Sequence, residues 1–186
     1  MAPNLQLKCK ELVLAIRTKW LLKNEKVAHY NSNLQRANSF GVLYSYESQQ
    51  KQDAVQKLIR VLKSMGKQPK ILCYTTPQDK ETSANLLYTF NHTCLPTFGA
   101  IKSDYITHFM ATPFDYLFCL DLQPNAIINY LLATSKAKCR IGNFDEQRTS
   151  LFEIMVSFSK KEGCSVTDSL VAQMIYYVDL CKKNDS

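Results

Sequence analysis

The chain of 186 residues has the length of one domain, or of one domain with an appendage. Its hydrophobic fraction of 46% supports a packed core and excludes a disordered chain, and the sequence has no run of roughly 18 uncharged apolar residues that could span a membrane. The net charge of +7 is concentrated, because residues 1–36 carry seven Lys or Arg against two Glu and the remainder is nearly neutral.

Residues 5–23 are predicted to form a helix with two apolar lines. One line consists of Leu5, Cys9, Leu12, Val13, Ile16 and Trp20, and the other, on roughly the opposite face, consists of Leu7, Leu14 and Leu21. Two interpretations stay open. The helix is either wedged between the core and a later element, or it presents the second line together with Lys19 as a docking face. Such a face suits a protein partner, self-association or an anionic membrane surface.

Strands and helices alternate along the rest of the chain. After a polar linker over 24–38, strands are predicted at 39–46, 69–76, 86–90, 114–122, 138–142 and 151–158, and helices at 47–66, 102–111, 125–135 and 165–182. We therefore predict an α/β fold with a three-layer, doubly wound, mainly parallel sheet of the Rossmann-like or flavodoxin-like kind. A single domain over 39–186 would follow a basic amphipathic helix and linker over 1–38.

Polar residues collect where the predicted strands end. In sheets of this kind, ligands bind beyond the carboxyl ends of the strands. The candidate ligand-binding residues are accordingly Ser45, Glu47, Thr75, Thr76, Asp121 and Arg140. Helix capping and turn formation are the alternative roles for such positions. Arg140 lies within an apolar strand and needs an anionic partner, for which we predict Asp121.

Motifs of known enzyme classes are missing from the sequence. The five glycines form neither a dinucleotide-binding nor a P-loop pattern, the three histidines are scattered, and no G-x-S-x-G turn occurs. We predict no catalytic residue, no metal and no cofactor. Seven cysteines at wide spacings, without C-x-x-C, together with an N-terminus that does not read as a secretory signal, indicate the cytoplasm.

Four segments carry a resemblance to a family of small uncharacterised proteins from Bacteroidetes. They are 40–44, 114–121, 137–142 and 151–156. This resemblance implies a fold and a bacterial cytoplasm but no activity. The chain also resembles, more weakly, the N-terminal half of heptosyltransferase-like glycosyltransferases, through Phe114, Asp115 and Leu120 and through the run Ala137, Arg140, Ile141 and Gly142. It lacks the length for the second domain that binds the nucleotide-sugar donor in that family.

Two functional hypotheses follow. The favoured one is a non-catalytic binding or adaptor protein that acts through its N-terminal helix. The alternative is a nucleotide-binding or sugar-nucleotide-binding protein, or an enzyme, that uses the cleft at the strand carboxyl ends. The basic excess is confined to one helix without a recognition motif, which does not favour a nucleic-acid partner.

Overall fold

The structure, a computed structural model, describes residues 5–24, 37–76, 88–95, 101–159 and 165–183. Five α-helices are described: α1 (Leu5–Asn24), α2 (Gln49–Ser64), α3 (Asp104–Ala111), α4 (Ala126–Thr134) and α5 (Val166–Lys183). Six strands are described: β1 (Phe40–Ser45), β2 (Lys70–Tyr74), β3 (Thr89–Phe90), β4 (Tyr116–Cys119), β5 (Arg140–Asn143) and β6 (Ile154–Val156). Most of the predicted linker, and residues 86 and 87 of the predicted third strand, lie outside the described residues.

The strands form one sheet in the order β3-β2-β1-β4-β5-β6, and every pair of neighbours is parallel. Every residue of β1 and β4 is buried, as the apolar runs in their sequences predict for strands covered on both faces. This strand order reverses direction between β1 and β4, which is the switch point of a doubly wound sheet. The predicted fold class, a three-layer Rossmann-like α/β sheet, is confirmed.

Helices cover the sheet on both faces. Alternate residues of β1 point to opposite sides, so that Val42 belongs to a core with α2 and α5, while Leu43 belongs to a second core with α3 and α4. Helix α2 starts at the predicted cap, because the hydroxyl of Ser48 accepts a hydrogen bond from the amide of Lys51. It ends beside Gly66, whose φ of 74° is the left-handed conformation that glycine tolerates.

Helix α1 packs on the outer side of α4 and forms an additional layer there. Six of the nine residues of α4 are buried, among them Ile127, Ile128, Leu131 and Leu132, so this helix is apolar nearly all round. A helix with such a surface needs cover on both sides. The sheet provides one cover and α1 the other, with Leu14 of α1 fully buried.

The segment after β5 differs from the expected long strand over 151–158. Residues Glu146–Leu151 form a 3₁₀ segment, capped by the carboxylate of Asp145, and β6 is limited to Ile154–Val156. The apolar residues Leu151 and Phe152 are buried without joining the sheet. Their apolar character therefore reflects packing rather than strand pairing.

Candidate functional site

The switch point between β1 and β4 is closed by side chains where the two strands separate. The amide of Leu120 still donates to the carbonyl of Leu43 at 3.1 Å. At the next residue, the side-chain carboxylate of Asp121 takes the place of a backbone carbonyl as the acceptor. It accepts hydrogen bonds from the amide of Ser45 at 2.8 Å and from its hydroxyl at 2.7 Å. Asp121 is only 1% exposed. The carboxyl end of β1 is thus joined to the carboxyl end of β4 through one buried carboxylate.

Lys51, in the first turn of α2, supplies the countercharge. Its ammonium lies 2.7 Å from Asp121 Oδ1 and 2.6 Å from Glu47 Oε1, and the residue is 3% exposed. Burial by itself lowers the pKa of Lys51, but the charge and hydrogen bond of Asp121, with those of Glu47, outweigh it and raise this pKa. Lys51 is therefore a buried cation at all physiological pH values.

Arg148, in the 3₁₀ segment, holds the same strand end from the other side. Its Nη2 donates to the carbonyls of Asp121 and Leu122, both at 3.2 Å, and its Nε donates to Asp145 Oδ2 at 2.9 Å. The ring of Phe152 stacks 5.6 Å from the guanidinium carbon. The buried guanidinium is thereby fixed in one orientation.

Gly142 of β5 permits this stacking. A Cβ atom at position 142 would lie 2.4 Å from Cε1 and Cζ of the Phe152 ring, which is closer than any real contact. A side chain at position 142 would push Phe152 away from Arg148. The glycine of β5 is therefore linked to the orientation of Arg148 through one aromatic ring.

The polar groups at the switch point satisfy one another. The buried Ser45, Lys51 and Asp121 and the exposed Glu47 are joined by ion pairs and hydrogen bonds, and we call these four residues the switch-point cluster. Buried groups that are paired in this way fix a structure and need no ligand to compensate their desolvation. The geometry is that of a structural junction between α2, β1 and β4.

The buried thiols beside the cluster lack the lowered pKa of a nucleophilic cysteine. Burial raises the pKa of Cys73 and of Cys119 to about 12 in each case, and the negative charge of Asp121 adds to this effect. A thiol with such a pKa stays protonated at neutral pH, whereas a nucleophilic cysteine needs a lowered pKa. Cys139, at the start of β5, has a pKa raised to about 12 by burial as well.

The structure brings only some of the predicted ligand-binding residues together. Ser45, Glu47 and Asp121 meet in the switch-point cluster. Thr75 follows β2, on the far side of β1, where its amide and hydroxyl both donate to the carbonyl of Phe90. Thr76 follows it in the chain and is half-buried. The two threonines therefore belong to the β2–β3 edge rather than to the switch point.

The predicted pairing of Arg140 with Asp121 is wrong. Arg140 is the first residue of β5, so it lies near the amino ends of the strands, whereas Asp121 follows the carboxyl end of β4. Arg140 pairs in register with Leu117, four residues before Asp121, which is a separation of about 13 Å along the strand. Its partner is Glu153, whose Oε1 lies 2.6 Å from Nη2.

Sequence reasoning missed Lys51, Arg148 and Asn129. A signal for Lys51 was present, because it extends the buried line of α2 by one turn: Ala54, Val55, Leu58, Ile59 and Leu62 follow it at helical spacing. A lysine in such a line must have an anionic partner within the fold. Arg148 and Asn129 lie in short elements whose sequences show no comparable periodicity.

A cavity of about 470 Å³ lies between α1, the start of α4 and the 3₁₀ segment. Arg148 and Asn129 both line it, and each has one buried polar atom without a hydrogen-bond partner among the described residues: Nη1 of Arg148 and Oδ1 of Asn129. An unpaired buried polar atom costs about 1–3 kcal/mol. A ligand in this cavity could therefore make polar contacts that the described part of the chain leaves unmade.

The three leucines of the predicted docking face of α1 face the body of the protein. Leu14 is fully buried, and Leu7 and Leu21 are half-buried, whereas Lys19 is exposed. The opposite line of the helix is the exposed one. Its members Leu5, Leu12, Ile16 and Trp20 are between 60% and 75% exposed. We call this surface, together with the exposed residues Lys8, Lys19 and Lys23, the outer face of α1.

The described residues contain no group of three or more His, Cys, Asp or Glu side chains arranged to bind a metal ion. None of their helices has the length and apolar character needed to cross a bilayer.

Comparison with known proteins gives one match. A family model matches residues 10–177, and it is described as a family of unknown function (DUF6913). No curated protein and no solved structure matches the chain. The expectation of a family without an assigned activity is confirmed. Its origin in Bacteroidetes and the resemblance to heptosyltransferases stay predictions from sequence.

Proposed function

We propose that this chain, which belongs to the DUF6913 family of unknown function, is a non-catalytic binding protein that docks on an anionic membrane surface through the outer face of α1. The observation that carries the proposal is the exposure of Leu5, Leu12, Ile16 and Trp20 on one line of a surface helix. A soluble monomer rarely exposes a contiguous apolar line of this kind, and such a line is a mark of an interaction surface.

The chemistry of the outer face suits a bilayer interface. Interfacial helices combine a Trp or Leu face with Lys or Arg residues that contact anionic headgroups. Lys8, Lys19 and Lys23 share the outer face, while Glu11, the single acid of the helix, lies on a different face. The exposed line from Leu5 to Trp20 is about 22 Å long, and it belongs to a helix that packs outside α4.

A second copy of the chain fits this face less well. Two identical helices that paired through it would bring lysines against lysines, and like charges at close range are unfavourable.

The switch-point cluster supports a binding role over a catalytic one, since its charged groups form ion pairs with one another.

The only tryptophan of the chain, Trp20, is the probe for the test. Lipid vesicles of phosphatidylcholine with and without about 30% phosphatidylserine are titrated into the purified protein, and tryptophan emission and co-sedimentation are recorded. We expect a blue shift and co-sedimentation with the anionic vesicles only. Replacing Lys8, Lys19 and Lys23 with Gln should weaken binding about 100-fold, since each basic residue contributes about 1 kcal/mol near an anionic surface.

Matched variants separate the outer face from general stickiness. The double variant Leu12→Ser and Ile16→Ser should lose binding and keep its melting temperature, because both side chains are exposed. Replacing the exposed Tyr176 and Tyr177 of α5 with Ser should leave binding unchanged. Equal binding to neutral vesicles, no binding to anionic ones, or a blue shift that follows protein concentration without vesicles would each contradict the proposal.

A further inference from the structure

We infer that the cavity between α1, α4 and the 3₁₀ segment binds a small organic carboxylate that also carries a hydroxyl or N–H group. The cavity volume of about 470 Å³ lies within the range of small-molecule sites. Arg148 connects it to the backbone of Asp121 in the switch-point cluster, and Lys19 belongs also to the outer face of α1, but the inference does not depend on the membrane proposal.

Arg148 provides a fixed donor for the carboxylate. Three of its contacts, to Asp145 and to the carbonyls of Asp121 and Leu122, hold the guanidinium in place. Nη1 is buried and has no acceptor among the described residues. A donor that is held by its neighbours and left unpaired is preorganised for an acceptor that enters the cavity.

Asn129 provides the complementary acceptor. Its Oδ1 is buried without a donor, and the residue lines the same cavity. In the described part of the chain, three buried side-chain atoms lack a partner, and two of the three belong to residues of this cavity. The backbone amides at the start of α4 do not account for the polar character of the cavity, because Asn125 Oδ1 already accepts hydrogen bonds from the amides of Ile127 and Ile128.

The charge at the cavity favours a monoanion. Asp145 neutralises Arg148, so the remaining positive charge is that of Lys19, which lines the cavity and forms no ion pair with another described residue. A carboxylate matches one such charge, and a dianionic phosphate would need more donors. Leu22 and Leu151 add apolar walls for a short aliphatic body. A hydroxyl or N–H of the ligand would donate to Asn129.

The test uses short aliphatic 2-hydroxy acids of four to six carbons as probes. Each is titrated into the full chain, labelled with ¹⁵N, and the Arg148 Nε–H and Asn129 side-chain signals are followed by NMR. We expect saturable shifts of both signals with at least one acid. We also expect at least tenfold weaker binding of the matching acid without the hydroxyl and of the matching amide without the charge.

Two variants make the result specific. Asn129→Leu removes the unpaired acceptor, so it should retain or raise the melting temperature and still lose selectivity for the hydroxyl. Lys19→Gln should weaken binding about tenfold, whereas Lys23→Gln, which does not line the cavity, should leave it unchanged. No saturable shift with any of the acids, or binding that is unaffected by both Asn129→Leu and Lys19→Gln, would overturn the inference.

Discussion

Two lysines of α2 form ion pairs in contrasting surroundings. Lys51 is 3% exposed and binds the buried Asp121, whereas the side chain of Lys57 is 53% exposed and binds Asp168 of α5. Both pairs join α2 to another part of the fold with short N–O contacts. The two residues therefore allow the effect of burial on an ion pair to be measured within one helix, by the same type of substitution at both positions.

We predict that Lys51→Met lowers the free energy of unfolding by about 3–5 kcal/mol, because the carboxylate of Asp121 would stay buried without its cation. Lys57→Met should lower it by at most about 1 kcal/mol, the usual value for an exposed pair. Urea denaturation followed by circular dichroism measures both. Similar losses for the two variants would show that the switch-point cluster is open to solvent.

For single residues, the sequence predicted the neighbours of polar side chains that directly follow a strand, and it did not predict those of polar side chains elsewhere. Ser45, Glu47 and Asp121 could be predicted as neighbours, because parallel strands bring their carboxyl ends to the same edge. Arg140 could not be paired correctly, since the register of β4 and β5 decides which acid it meets. Lys51 could be identified only from its place in the buried line of α2. Arg148 could not be identified, because charged residues in helical segments usually face solvent.

Helix α1 presents the main ambiguity among the elements. Both of its faces are apolar, so the period of the pattern identifies a helix but does not say which face is inward. The answer lies in α4, whose apolar residues surround it and require a cover. The inward residues of α1 are those that meet α4, and the longer apolar line is left exposed.

We predict that Leu14→Ala lowers the free energy of unfolding by about 2–5 kcal/mol, the usual cost of a cavity at a fully buried leucine. Leu12→Ala, two residues earlier on the outer face, should change it by no more than about 0.5 kcal/mol. Chemical denaturation of the two variants gives the comparison. If Leu14→Ala were neutral, α1 would not be part of the packed fold.

Strand and helix order was the part of the fold most accessible to sequence reasoning. The apolar runs and helical periods identified the six described strands and five described helices in the right order. Strand lengths were overestimated, as over 114–122 against Tyr116–Cys119. Phe114 and Leu120 are fully buried although they lie outside the strand, so burial extends further along the chain than hydrogen-bonded pairing does.

For the molecule as a whole, charged pairs tie the sheet together at both ends. The switch-point cluster joins β1, β4 and α2 at the carboxyl edge. At the amino edge, Asp115 accepts hydrogen bonds from the amides of Asn38 and Ser39 before β1 and pairs with Lys138 before β5. Burial alone raises the pKa of Asp115, but these hydrogen bonds and the charge of Lys138 outweigh it and lower the pKa to about 2.

The lowered pKa of Asp115 makes the stability of the folded molecule depend on pH in the acidic range. A carboxyl group whose pKa is lower in the folded state stabilises that state above its unfolded pKa of roughly 4, and this contribution disappears as the pH falls through about 2. We predict that Asp115→Asn has a lower melting temperature than the native chain by a constant amount from pH 7 to pH 5. The difference should shrink progressively from about pH 4 towards pH 2.

Lys138→Gln should move this loss of stability to higher pH, because it removes the hydrogen bond that does most to lower the pKa of Asp115. Melting curves recorded by circular dichroism across this pH range test both variants. A difference between Asp115→Asn and the native chain that persists unchanged to pH 2 would mean that Asp115 acts at the amino edge through its shape and neutral hydrogen bonds rather than through its charge.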